Sequence, residues 1–358
     1  MLNLVNAAKW DRLRSGRRTN EQRSVTGPSL LGVAKRLVAV LLCAFGAPAI
    51  ARRVNRRHLS ILMFHGVESE PVSPPCDYVL DVATLRRELG YIRDKFHVLP
   101  LQEALERLYS GTLPMRAATI TFDDGTMNLL THAAPVLGEL ELPAAVFLAT
   151  GLMGTEKALW ADALWLAFAQ TSAETLDLAP LGLGDVALAS AAQRGAACSK
   201  AVEHLKVLPD DERLAAVDSL IGQLNPHSSD PGPFRLLSWD QARLLAADGS
   251  VTLHPHSSTH PILSQCSDEK VLHEVTQSCA DIEREIGSAP TVFAYPNGEL
   301  RDFDERCRAA LRGRGIRWAL ATTHGFAHRD SDPLAIPRVG IASSLSFPSF
   351  KLVASGLG

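Results

Sequence analysis

At 358 residues the chain can hold one large α/β domain or two small ones. Its 46% hydrophobic and 21% charged residues are ordinary for a globular protein and exclude a chain without a packed core. The net charge of −3 hides an asymmetry: residues 1–57 carry 12 Lys/Arg and 2 Asp/Glu, which leaves 24 and 37 for residues 58–358. A basic leader on an acidic body suits contact with an anionic surface, phospholipid headgroups first, through residues 35–57. No nucleic-acid partner is expected.

Residues 1–30 read as a solvated, disordered tail. Residues 37–51 (LVAVLLCAFGAPAIA) form an apolar run of 15, short of the ~18 needed to cross a bilayer. Basic residues flank it on both sides. Three readings stay open: a signal segment cleaved near Ala47–Ala51, a helix on the membrane surface, or a helix packed on the domain. A cytoplasmic location, or one peripheral to the inner membrane, is favoured over an exported form. Six scattered cysteines without a C-x-x-C pair read as free, mostly buried thiols.

After the leader, 59–64 (LSILMF) is an apolar strand ending at His65-Gly66. Helical spacing follows over 83–96 and 102–109, then a strand over 117–122 (AATITF) that runs into Asp123-Asp124-Gly125. A helix over 128–140 and a strand over 144–149 come next. Residues 155–238 interrupt the rhythm as an Ala/Leu-rich helical insertion with no clear strand. The alternation then resumes: helix 239–247, strand 250–253, helix 268–286, strand 291–295, helix 304–312, strand 317–322 and a last element over 335–341. Short apolar strands alternating with helices predict parallel β/α architecture. In such folds functional side chains gather where strands end. Asp123-Asp124, His254 and His256, Tyr295 and His65 each stand just past an apolar run.

Two adjacent carboxylates at a strand end repel each other unless a cation or proton lies between them, although Asp-Gly also marks an ordinary turn. His256-Ser257-Ser258-Thr259-His260 places two imidazoles four residues apart. Two His and a carboxylate suit a hydrolytic divalent metal, with zinc favoured by ligand type and cobalt, nickel or manganese able to substitute. The same set describes non-haem iron oxygenases, but these are usually built on β-barrels rather than on a β/α rhythm.

Thr121–Gly125 (TFDDG) followed by H-S-x-x-H resembles the first two motifs of the polysaccharide deacetylases, carbohydrate esterase family 4, also called the NodB-homology domain. The blocks ILMFHGV (61–67), LSWDQARLLAA (237–247), HPIL (260–263), FAYPNG (293–298) and IPRV (336–339) extend the likeness over residues 59–341, towards the exopolysaccharide branch. The resemblance implies a distorted (β/α) barrel for 58–358 and hydrolysis of N-acetyl groups on an amino-sugar polymer. It makes Asp124, His256 and His260 the metal ligands and Asp123 the general base. A backbone N–H near Tyr295 would bind the oxyanion. No late L-x-H motif supplies the acid, so His65 takes that role. The Arg that often contacts the base is missing before Pro296, and Arg338 is the candidate replacement. Tyr295, Pro296, Asn297 and His254 are expected around the site, His254 behind the ligands rather than among them. Trp160, Trp165 and Trp239 read as core. Alternatives are a chitooligosaccharide deacetylase of the nodulation-factor type and a non-catalytic glycan-binding relative.

Overall fold

The computed structural model describes residues 30–357, so all but the last residue of the tail predicted for residues 1–30 lies outside them. The chain divides into two compact units, one up to Val38 and one from Ala39 onward. Of the first, residues 30–38 are helical. The second holds everything below.

Among the described residues twelve strands occur, in chain order: β1 (Ser60–Phe64), β2 (Gly66–Glu68), β3 (Val79–Asp81), β4 (His97–Val98), β5 (Ala117–Phe122), β6 (Ala144–Leu148), β7 (Thr175–Asp177), β8 (Asp185–Ala187), β9 (Val251–Pro255), β10 (Val292–Ala294), β11 (Trp318–His324) and β12 (Ile336–Gly340). Seven of them pair in parallel in the order β10-β11-β12-β1-β5-β6-β9, with β4 beside the start of β5. This is the nearly closed barrel that the sequence predicts. Strands β5 and β6 are buried along their whole length, which is why they read as unbroken apolar runs rather than alternating ones. The edge strands β9 and β10 share no ladder among the described residues. A side chain bridges that seam instead: His256, just past β9, bonds through Nδ1 to the Ala294 carbonyl at the end of β10, at 2.8 Å.

The predicted helices stand with small shifts at their ends. Helix Val82–Lys95 starts where the Asp81 carboxylate accepts the Thr84 N–H at 2.9 Å, an N-cap that offsets an orphan donor. The helix expected over 128–140 opens as a wider π-turn, Leu129–Ala133, before regular helix from Ala134. Pro135, which has no N–H to give, sits at that junction.

The insertion consists of helices Trp160–Gln170, Ala191–Leu205 and Asp210–Leu224 around their own apolar cluster, including Leu164, Phe168, Leu178, Ala201 and Leu224. The expectation of no strand there is corrected. β7 and β8 form a short antiparallel hairpin, three residues per strand, too short to leave a periodic signal. His97 lies on β4. All six cysteines are free, and all but Cys43 are buried.

Candidate active site

The barrel strands end in register, Phe64 opposite Phe122 and Leu148 opposite Pro255, so the residues that follow share one rim. There the backbone leaves ordinary conformations. Asp124, Ser257, His260 and Asn297 all have positive φ, between 58° and 72°. Each costs a non-glycine residue about 1–2 kcal/mol, so the surrounding contacts must hold these turns. One holder is Glu274, buried on helix Asp268–Ile286, whose Oε2 accepts the N–H groups of Ser258 and Thr259 at 2.8 Å each. The sequence reading missed it, although a Glu among the inward positions 271, 274, 275 and 278 was a visible anomaly.

Asp124, His256 and His260 converge. The Asp124 Oδ1 lies 3.6 Å from His256 Nε2 and 3.4 Å from His260 Nε2, and the three donor atoms stay within 4.8 Å of one another. Four ligands at about 2.0–2.1 Å from a tetrahedral ion stand about 3.4 Å apart along each edge, so the trio fits a divalent metal. The tautomer fits too: His256 commits Nδ1–H to Ala294 O and leaves the Nε2 lone pair facing Asp124. Burial lowers both imidazoles, His260 further with His256 beside it, so they stand neutral and able to ligate. Burial, then Asp162 and Asp123, pushes the Asp124 carboxyl well above its ordinary value. The centre is short of positive charge, and a cation at the trio would relieve it.

Arg338, fully buried on β12, supplies what positive charge there is. Its two terminal nitrogens donate to the two Asp123 oxygens at 2.7 Å each, and its Nε donates to Ala321 O at 3.0 Å. Burial alone would raise Asp123, but Arg338 and His256 outweigh it and hold the carboxyl well below the usual range. The Asp123 Oδ2 stands 4.0 Å from His256 Nε2.

His65 faces the same cleft. It is half-buried, its Nδ1 is enclosed and unpartnered, and desolvation pushes it down to about 4 despite the nearby Asp123. His254 is one step down the barrel. Its Nε2 pairs with Thr252 Oγ1 at 3.0 Å, its ring leans on Phe147, and it is not among the converging donor atoms. Tyr295 is buried, stacked on Phe303, with its hydroxyl donating to Leu334 O. Its own N–H donates to Leu320 O at 3.1 Å and so is already engaged by the neighbouring strand. Two residues on, past the buried Pro296, the Asn297 Nδ2 is buried, unpartnered and at the cleft wall.

The cleft, about 710 Å³, lies between the rim and the insertion. The insertion contributes Asp162, which no motif signals. Its Oδ1 accepts from the Tyr78 hydroxyl at 2.8 Å, its Oδ2 has no partner, and burial raises its carboxyl to about 7 against that hydrogen bond. Trp165, expected as core, packs edge-on against Phe234 and also lines the cleft. Trp160 is buried and Trp239 packs on the barrel core.

A search of curated proteins finds no match. Among solved structures, the Streptococcus pyogenes deacetylase PplD in complex with acetate aligns with a TM-score of 0.55 at 16% identity, over 83% of this chain and 98% of its own. IcaB from Ammonifex degensii aligns at 0.53 and 17%, over 84% and 97%. The Bacillus cereus polysaccharide deacetylase BC0361 aligns at 0.54 and 14%, over 84% and 69%. At such identities the likeness is one of fold. The family model described as polysaccharide deacetylase matches residues 110–319, more than half of the sequence, with Asp123, Asp124, His256 and His260 inside it and His65 and Arg338 beyond its ends. The chain therefore belongs to the polysaccharide deacetylase family, enzymes that hydrolyse amide-linked acetyl groups.

Proposed function

We propose that the chain removes N-acetyl groups from an amino-sugar polysaccharide of the exopolysaccharide type, and that Asp124, His256 and His260 hold a divalent metal for that purpose. The observation that carries this reading is one carboxylate locked to Arg338 immediately beside a second carboxylate that faces two neutral imidazoles. A metal at the trio, zinc by ligand type, would bring a water's pKa to roughly 7 and polarise the acetamide carbonyl.

The chain's own residues then divide the proton work. Asp123 accepts the proton of the attacking water as oxygen bonds to the acetyl carbon. Arg338 fixes both oxygens of that base, so it stays ionised and aimed. As the carbon–nitrogen bond breaks, His65 gives the nitrogen a proton, leaving acetate and a free amine. His65 rests neutral, so it acquires that proton within the turnover, and the one collected by Asp123 is the nearest source. Asn297, with its amide donor free, stands where a substrate or oxyanion oxygen would meet it. The insertion forms the wall of a cleft whose volume is within the range of small-ligand sites.

Acetate release from poly-N-acetylglucosamine and from acetylated chitooligosaccharides, with and without chelator and restored zinc, tests the reading. Zinc-restored release that is faster on the polymer supports it. Release confined to the short oligosaccharides would favour the nodulation-type substrate. Glycan binding without release would make the chain a binding relative.

A further inference from the structure

The catalytic reading leaves residues 39–57 without a task. Gly46, in the left-handed region at φ 77°, separates helix Leu30–Ala44 from helix Ala47–Val54, and the chain turns by 70° there. One side of this corner is fastened to the body. Ala39, Pro48 and Ala51 are buried, Cys43 Sγ meets Pro348 O, and Asn55 Nδ2 donates to Ser355 O at 3.0 Å.

The other side is apolar and bare. Leu41 and Phe45 stand one turn apart, as do Ile50 and Val54, and Phe45 is 83% exposed, Val54 73% and Ile50 64%. A cluster of this kind on a folded protein marks a place of contact. Arg53 and Arg57 are exposed beside it, with no ion pair among the described residues.

Length decides between crossing and lying flat. The described helices include none long and apolar enough to cross a membrane; only the bent pair passes by length and composition. Its first arm, Gly32–Ala44, reaches about 20 Å, against about 30 Å of hydrocarbon. A bent pair with an apolar outer face and a basic margin suits the headgroup layer instead.

We propose that the corner at residues 39–57 docks the enzyme on an anionic phospholipid surface. Leu41, Phe45, Ile50 and Val54 enter the boundary between headgroups and acyl chains, and Arg53 and Arg57 meet lipid phosphates. Charge complementarity favours lipid over a second copy of the chain: a self-complementary contact would set one basic corner against another, whereas an anionic leaflet attracts each arginine.

Flotation of the full chain with vesicles tests this. The vesicles are phosphatidylcholine alone, or phosphatidylcholine mixed with phosphatidylglycerol. Wild type is expected to float with the mixed vesicles and to detach as salt rises. Phe45→Asp with Ile50→Asp, and separately Arg53→Glu with Arg57→Glu, are expected to lower the floated fraction at least about tenfold, while acetate release from a soluble oligosaccharide is unchanged. Failure of wild type to float, or variants that float as well as it does, would overturn the proposal. So would a dimer in light scattering that the Phe45→Asp, Ile50→Asp variant abolishes, because it would assign the face to a second copy.

Discussion

Arg338 grips Asp123 by both carboxylate oxygens at 2.7 Å, reaching from β12 past β1 to the end of β5. A third bond, from its Nε to Ala321 O, ties it to β11, so one buried cation on β12 links β11 to the end of β5. The planar, two-pronged guanidinium fixes the direction of the carboxylate as well as its charge.

Arg338→Met tests that pair. Arg338 and His256 hold Asp123 below its unfolded pKa against the pull of burial. Its stabilising effect is therefore present above that unfolded value, about 3.9, and is lost as pH falls through the lower folded one. Without the guanidinium, burial dominates and the carboxyl rises. The variant should lose about 3–5 kcal/mol of stability at neutral pH, and the acid limb of kcat/KM should move to higher pH. Denaturant melts and a pH–rate profile read both. An unmoved acid limb would contradict the role of Asp123 as base.

Glu88 carries a pH effect of opposite sign. It is buried in helix Val82–Lys95, both oxygens lack partners, and burial raises it to about 8. Folding therefore takes up a proton between the unfolded pKa of about 4.3 and 8, and stability falls as pH rises through that window. Glu88→Gln should flatten the slope and be more stable at pH 8 by about 2–4 kcal/mol. Melts at pH 5 and pH 8 measure it, and equal slopes in both proteins would refute the burial argument.

Asp162→Asn keeps the acceptor for Tyr78 and removes a carboxylate beside the trio. One negative charge fewer near the ion should weaken zinc about tenfold, with the fold intact. Competition against a chromophoric chelator reads the affinity. Unchanged affinity would show that Asp162 does not act on the metal centre.

Gly125→Ala probes the turn that presents the two carboxylates. Gly125 has φ 78°, and a Cβ there would stand 2.5 Å from Leu148 Cδ2. The substitution should cost about 1–3 kcal/mol and lower activity with it, as denaturation and acetate release would show. A fully stable, fully active variant would mean that the turn tolerates another shape.

The sequence displayed the barrel because β5 and β6 are buried on both faces, and β1 all but Met63, and leave short apolar runs. It displayed the centre because Asp123-Asp124 and His256–His260 each lie within five consecutive residues. Arg338 was legible only as the lone cation in IPRV, and its grip on Asp123 depends on β12 lying beside β1 across most of the chain. Asp162 and Tyr78 were not legible at all: 84 residues separate them, and only a hydrogen bond formed by the folded insertion joins them. Nor does the sequence display that the Tyr295 N–H is taken by Leu320 O, because that bond depends on β11 lying beside β10.

The most direct test of the account is zinc content and acetate release measured together on wild type and Asp123→Asn. The account predicts one zinc per chain in both proteins and, in the variant, a loss of release of at least about 10²-fold. Wild-type release without bound metal, or a zinc-loaded Asp123→Asn enzyme as active as wild type, would contradict it.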